Sequence, residues 1–336
     1  MLRIGVIGYG YWGPNLARNF HHSPLWSLVR VADFQPARRE AAARDCPGVE
    51  TCAEPEPILR APDIDAVAIA TPIATHFELA LAALQAGKHV LVEKPMTDDA
   101  GQAERLVAEA DRRGLVLLVD HTFVYTEAVR WLTEFAGGGQ FGEPYYFDSI
   151  RANLGLFQRD ASVLWDLAPH DLSILTAVLD RPVRSVAAFG ASHAGSRVPD
   201  IAYLTLDLGD GCLAHFHVSW LSPVKVRRVL LAGSRKMVVF DDLEATEKLK
   251  VYDSGVNIRH DDSEGAYRLR VDYRVGDMTS PALKSGEALA AEAAHFARCI
   301  LGEERPRTGG EAGLAVVRVL SAAEQSMRSG GEIVRL

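Results

Sequence analysis

Short apolar runs rich in β-branched residues punctuate the first third of the chain, at Arg3–Ile7, Leu28–Ala32, Ala66–Ala70, His89–Val92 and Leu115–Val119. Between them, Pro14–Phe20, Pro36–Arg44, Thr75–Ala86 and Asp98–Arg113 read as helices. Pro14 suits a first helical position, and Gly87 and Gly114 suit the left-handed residue that ends a helix. Strands alternating with helices predict a parallel, doubly wound α/β sheet.

Past residue 122 the pattern changes. A helix is expected over Thr126–Ala136, a strand over Pro144–Ala152 and a helix over Trp165–Leu179. Strands then follow one another at Val183–Ala191, Ile201–Leu208, Cys212–Leu221 and Val226–Ala232, with a turn at Gly209-Asp210-Gly211. Strands without helices between them predict a mostly antiparallel sheet. Helices return at Glu287–Ile300 and Glu311–Met327. The expected division is 1–122 and 123–336, with the last helices able to pack back on the first domain.

With 336 residues, 48% of them hydrophobic, the chain can bury a full core without staples. A net charge of −8 argues against nucleic-acid or membrane partners, so an anionic ligand would need local cations. Cys46, Cys52, Cys212 and Cys299 form no C-x-x-C pair, as expected of a reduced, cytoplasmic protein. The N-terminus shows no apolar signal core, and no apolar run nears the ~18 residues that span a bilayer.

Gly8-Tyr9-Gly10-Tyr11-Trp12-Gly13 is a G-x-G-x-x-G between the first strand and the first helix, the context of a dinucleotide site. Gly8 permits the tight turn, Gly10 lets backbone approach a pyrophosphate, and Gly13 allows close packing of helix on strand. Asp33, at the end of the second strand, is placed to bind ribose hydroxyls and to repel a 2′-phosphate, which favours NAD over NADP. Arg38 and Arg39 pull the other way, because an arginine can receive that phosphate.

Glu93-Lys94-Pro95 ends the strand that starts at His89, where ligands of open α/β sheets bind. Asp166 and His170 are four residues apart and share a helix face. Oxidising an alcohol by hydride transfer requires removal of the hydroxyl proton, a task suited to a histidine. Lys94 can stabilise a developing alkoxide, and Asp166 can orient His170 or contact a substrate hydroxyl. Each residue also has a bland reading: a surface lysine, an acid favoured at a helix start, a core histidine. His215 and His217 share a strand face, but without a third ligand no metal is expected.

Together the glycine motif, Glu93-Lys94-Pro95 and the Asp-x-x-x-His pair resemble the Gfo/Idh/MocA oxidoreductase family over nearly the whole chain. The resemblance implies an N-terminal Rossmann domain that binds NAD. It implies a C-terminal α/β domain on a large, mostly antiparallel open sheet, which holds substrate and often forms homodimers or homotetramers. It also implies that Lys94, Asp166 and His170 are catalytic, with His170 the proton acceptor. Ala70, Thr71, Pro72, His76 and Glu93 would line the cofactor. The usual glycines before and within the Asp–His stretch are absent. Instead the chain has the run Trp165-Asp166-Leu167-Ala168-Pro169-His170-Asp171. With Arg151–Asp160 and Gly8–Asn15, this run resembles the sugar-nucleotide branch that includes UDP-N-acetylglucosamine 3-dehydrogenases.

Arg151, Asn153, Gln158 and Arg159 precede the catalytic helix and offer donors for sugar hydroxyls or a diphosphate. Tyr125 follows the last strand of the first domain and is a further candidate sugar contact. The expected activity is oxidation of a ring hydroxyl, at C3, of a sugar or sugar nucleotide. A free monosaccharide, inositol or aminocyclitol is the alternative substrate. A cofactor-binding regulator without turnover would not need Lys94, Asp166 and His170 together.

Overall fold

The computed structural model describes residues 1–155, 161–193, 195, 197–261 and 268–336, with backbone alone for 257–261 and 268–272. The strands β1 (Leu2–Ile7), β2 (Trp26–Ala32), β3 (Glu50–Cys52), β4 (Ala66–Ile69), β5 (His89–Glu93) and β6 (Leu117–Asp120) form one parallel sheet in the order β3-β2-β1-β4-β5-β6. Its inner strands are covered on both faces, which is why they read as continuous apolar runs. β3, three residues of Glu-Thr-Cys, is too short and polar to be seen in the sequence pattern. The connecting helices are α1 (Gly13–His22), α2 (Pro36–Asp45), α3 (Glu56–Leu59), α4 (His76–Gln85) and α5 (Ala100–Arg113). Strand order reverses between β1 and β4. The turns after β1, β2, β4 and β5 therefore border the crevice where doubly wound sheets bind ligands.

The second sheet follows α6 (Glu127–Gly137). It contains β7 (Pro144–Leu154), then, after α7 (Val163–Leu179), β8 (Ser185–Ala191), β9 (Ile201–Asp207), β10 (Leu213–Ser219), β11 (Leu221–Gly233), β12 (Met237–Asp241), β13 (Leu249–Asp261) and β14 (Arg268–Thr279). Its order is β14-β13-β12-β11-β7-β10-β9-β8, extended past β8 by a short C-terminal strand, Val334–Arg335. β7 and β10 are parallel and the other pairs antiparallel. The sheet is thus mixed but mostly antiparallel, as expected. It is larger than the sequence pattern shows, because charges such as Lys250, Asp253, Arg274 and Asp277 interrupt β13 and β14.

α7 packs on β7, β9 and β10, and α6 packs on α7. Phe147, Leu204, Phe216 and Val229 are buried on that face. The alternate positions Phe189, Tyr203, His217, Ile150 and Arg228 line up across five strands on the other. There Phe189 is 61% and Tyr203 42% exposed.

Two helices end the chain, α8 (Ala288–Ile300) and α9 (Gly310–Arg328). Two units result: Met1–Thr126 with Ser285–Ser321, and Glu127–Lys284 with Ala322–Leu336. Residues 123–126 and Ser285–Ser321 fold with the first sheet. The cause is apolar burial. Leu289, Ala293, Phe296 and Ala297 of α8 join a core with Phe20 and Trp26. Phe296 stacks on Trp26 at 5.3 Å, and the Trp26 indole donates to the Ala293 carbonyl at 2.7 Å. Burying Phe296 alone stabilises by ~1.5–3 kcal/mol. No helix among the described residues is long and apolar enough to cross a membrane.

Candidate active site

In the first unit the glycine motif forms the turn from β1 into α1. Gly8 has φ +97°, and a Cβ there would lie 2.6 Å from the Ala70 carbonyl oxygen. A Cβ at Gly13 would lie 2.1 Å from the Gly8 carbonyl oxygen. At Gly10 the nearest atom to such a Cβ is in the Arg38 guanidinium, 3.6 Å away. No side chain caps α1 and no acid sits in its first turn; Pro14 has no N–H and the Asn15 and Leu16 N–H groups turn back to the Trp12 carbonyl, so an anion there would meet the Gly13 N–H and the positive end of the helix. Tyr11 is 89% exposed, whereas the Trp12 indole donates to Asp120 Oδ2 at 2.7 Å.

Asp33 is buried, and its two oxygens accept from the Tyr9 and Gln35 backbone N–H groups at 2.8 and 2.9 Å. Each carboxylate oxygen has a second lone pair for a ribose hydroxyl. Arg38 lies 3.5 Å from Asp33, while Arg39 donates to the carbonyls of Asp33 and Phe34. Of the two arginines, Arg38 is thus the one facing Gly10. The uncapped helix start, the bare Gly10 and the Asp33 carboxylate fit a dinucleotide.

His76 is 2% exposed, and its ring nitrogens sit 2.9 Å from the carbonyls of Thr71 and Pro95. It therefore clamps the turn at Ala70-Thr71-Pro72 to the turn after β5. Burial lowers its pKa, against the pull of the two carbonyls. The Lys94–Pro95 bond is cis. The charge on Lys94 acts on Glu93, His76 and His121. His121, 1% exposed and without a hydrogen-bond partner on either ring nitrogen, has its pKa pushed down to about 3 by burial and then by Lys94. Glu93 and Glu292 are held well above the ordinary carboxylate range, by burial first and then by the charge of Asp120. Asp120 and Glu292 belong to this acid cluster without any sequence signal. Asp120 closes an apolar strand, and Glu292 lies in α8, far along the chain.

Tyr125 does not serve as expected. It is 2% exposed, and its hydroxyl bonds the Thr308 hydroxyl at 2.8 Å, inside the first unit's core. Burial holds its pKa well above 10. The returning Ser285–Ser321 segment supplies this partner, which local sequence reading cannot see.

In the second unit, Asp166 and His170 lie on the partly exposed face of α7, with Trp165, Ala168, Pro169 and Asp171 buried beside them. Asp166 stands in the first turn, where the helix dipole favours an anion. Its Oδ2 accepts the Trp220 indole N–H at 3.0 Å. Pro169 lies within the helix and has no N–H for the Trp165 carbonyl. Asn153, on β7, is partly exposed. Gln158 and Arg159 fall outside the described residues.

Arg151 departs from expectation. Its guanidinium is 5% exposed and meets Asp171 in a two-point pair, Nε to Oδ2 at 3.0 Å and NH2 to Oδ1 at 2.7 Å. β7 alternates its side chains, and residue 151 falls on the face that α7 covers. The fork offered to a diphosphate is instead turned to the neighbour of His170. Asp171 was visible in the sequence only as part of the Trp165–Asp171 run. His215 and His217 lie on the sheet face opposite α7, with Tyr203 stacked on them at 6.3 and 4.6 Å.

Comparison with known proteins adds the following. Residues 2–121 match the oxidoreductase family with an NAD-binding Rossmann fold, and residues 129–239 match the GFO/IDH/MocA C-terminal domain. UDP-N-acetylglucosamine 3-dehydrogenase of Acidithiobacillus ferrooxidans is 31% identical over 255 residues, covering 76% of this chain and 78% of that protein. Its solved structure superposes with a TM-score of 0.82 at 26% identity over 98% of both chains. An NADP-dependent scyllo-inositol 2-dehydrogenase of Bacillus subtilis is 29% identical, covering 62% of this chain and 60% of that protein.

Proposed function

This chain belongs to the Gfo/Idh/MocA oxidoreductase family, with an NAD-binding Rossmann domain, and from that premise we propose that it oxidises the C3 hydroxyl of a sugar nucleotide such as UDP-N-acetylglucosamine. The observation that carries the reading is the pairing of Asp166 with His170 on the open face of α7, in a chain similar over three quarters of its length to such a dehydrogenase. NAD, when bound, supplies the hydride acceptor. Gly8, Gly10 and Gly13 admit its pyrophosphate, Asp33 takes the ribose, and the turn at Thr71-Pro72 with Glu93 borders it.

His170 is assigned to accepting the hydroxyl proton, Asp166 to taking a hydrogen bond from a substrate hydroxyl, and Lys94 to stabilising negative charge that develops in the reaction. Asn153, Gln158 and Arg159 are assigned to the sugar and its diphosphate. The engagement of Arg151 with Asp171 removes one cation from that set. It favours, as the second reading, an uncharged polyol such as the inositol acted on by the Bacillus subtilis relative. The open face of the second sheet, with Phe189 and Tyr203 exposed, is assigned to a homodimer or homotetramer contact.

The test is a panel of UDP-, dTDP- and GDP-sugars, free sugars and inositols, read by absorbance of reduced nicotinamide. On its best substrate, His170→Ala and Lys94→Ala should each lose ~10²–10⁴-fold in turnover while NAD affinity stays put. Wild-type turnover by both variants would defeat the assignment.

A further inference from the structure

We propose that Trp220 is a positioning residue for Asp166, holding that carboxylate at the first turn of α7 through its indole N–H. The inference rests on the oxidoreductase reading above, in which Asp166 meets a substrate hydroxyl.

Trp220 sits between β10 and β11 and is 1% exposed. Its backbone is held on both sides: its N–H donates to the Asp200 carbonyl at 2.9 Å, and its carbonyl accepts from Gly155 N–H at 3.0 Å. Gly155 is also where the ring needs room, since a Cβ there would lie 2.8 Å from Trp220 Cδ1 and 3.3 Å from Cγ. The Pro199 carbonyl, one residue before Asp200, accepts the Val163 N–H at 3.0 Å and so ties the same loop to the start of α7. Asp200 is fully buried, and its carboxylate accepts the backbone N–H of His193 and lies 2.8 Å from the His193 ring. The indole therefore leaves a rigid anchor and reaches Asp166 Oδ2 at 3.0 Å.

A hydrogen bond to a charged acceptor is about twice as strong as a neutral one and fixes direction. Asp166 carries a rotatable side chain on a partly open helix face, so a fixed donor behind it sets where the carboxylate points. If Asp166 merely satisfied a buried indole, removing that N–H would leave turnover unchanged. If the indole positions Asp166, turnover falls while binding elsewhere holds, because small misplacements of reacting groups are costly in rate.

The test uses the NAD-loaded protein and the substrate panel above. Trp220→Phe keeps an aromatic ring against Gly155 and removes the donor. Its kcat should fall roughly 10- to 100-fold, with a smaller change in KM and an unchanged NAD dissociation constant. Wild-type kcat in a folded Trp220→Phe protein overturns the positioning role and leaves the oxidoreductase reading intact. Absence of turnover by the wild type on every panel member overturns both. Should Trp220→Phe not fold, Gly155→Ala displaces the ring without deleting a donor and carries the same kcat expectation. Independently, the Trp220 indole ¹H–¹⁵N signal should move in Asp166→Asn while the other indole signals stay. An unmoved Trp220 signal overturns the proposal.

Discussion

The Trp12 indole N–H donates to Asp120 Oδ2 at 2.7 Å, joining the glycine-rich turn after β1 to the end of β6. Asp120 also accepts the Thr122 hydroxyl at 2.5 Å. Two further carboxyls, Glu93 and Glu292, crowd the same spot. The floor of the cofactor domain is thus a set of acids gathered around Asp120.

This crowding has a pH consequence. Glu93 and Glu292 have folded pKa values raised above the ordinary carboxylate range, through burial and then Asp120. Such groups bind more protons folded than unfolded, so their contribution is full below that range and is lost as pH rises through the folded values. Glu292→Gln removes one titrating group but keeps the shape. Its melting temperature should gain on the wild type as pH rises from about 5 to 9, the span above an ordinary carboxylate. A difference that stays flat, or grows toward acid, would contradict the cluster.

Cofactor choice turns on Asp33 against Arg38, which lies 3.5 Å from it. A buried carboxylate repels a 2′-phosphate, so the wild type should bind NAD more tightly than NADP by calorimetry. Asp33→Ala should narrow that gap by about tenfold or more, leaving Arg38 to attract the phosphate. Tighter NADP binding by the wild type would transfer control to Arg38.

The parallel sheet was legible because its strands are buried on both faces and its turns carry glycine at forced positions, Gly8 and Gly114 above all. The Asp166–His170 pair was legible because helical spacing alone puts both on one face. What was not legible depends on partners distant in sequence. Tyr125 looked free until Thr308 returned to meet it, and Arg151 looked available until α7 laid Asp171 over it. Trp220 gave no signal, since nothing local ties an indole at the end of β10 to an acid 54 residues earlier.

The Arg151–Asp171 pair predicts a stability effect where the sequence suggested a binding one. Asp171→Ala takes a two-point carboxylate partner from a buried guanidinium and should destabilise the second unit by about 3–5 kcal/mol in urea. A variant as stable as the wild type, with a raised KM for a nucleotide sugar instead, would return Arg151 to the substrate.

The open face of the second sheet predicts assembly. Light scattering at micromolar concentration should give a dimer or tetramer, and Tyr203→Glu should shift it toward monomer. A wild-type monomer would leave that face to another role.

The most direct measurement of the central claim is the initial rate of NAD reduction with UDP-N-acetylglucosamine beside free N-acetylglucosamine and myo-inositol at equal concentrations. The account predicts turnover of the nucleotide sugar, with kcat/KM at least about tenfold above either free compound, the worth of one charge-assisted contact. Faster oxidation of the free sugar or inositol, or no reduction of NAD with any of the three, would contradict it.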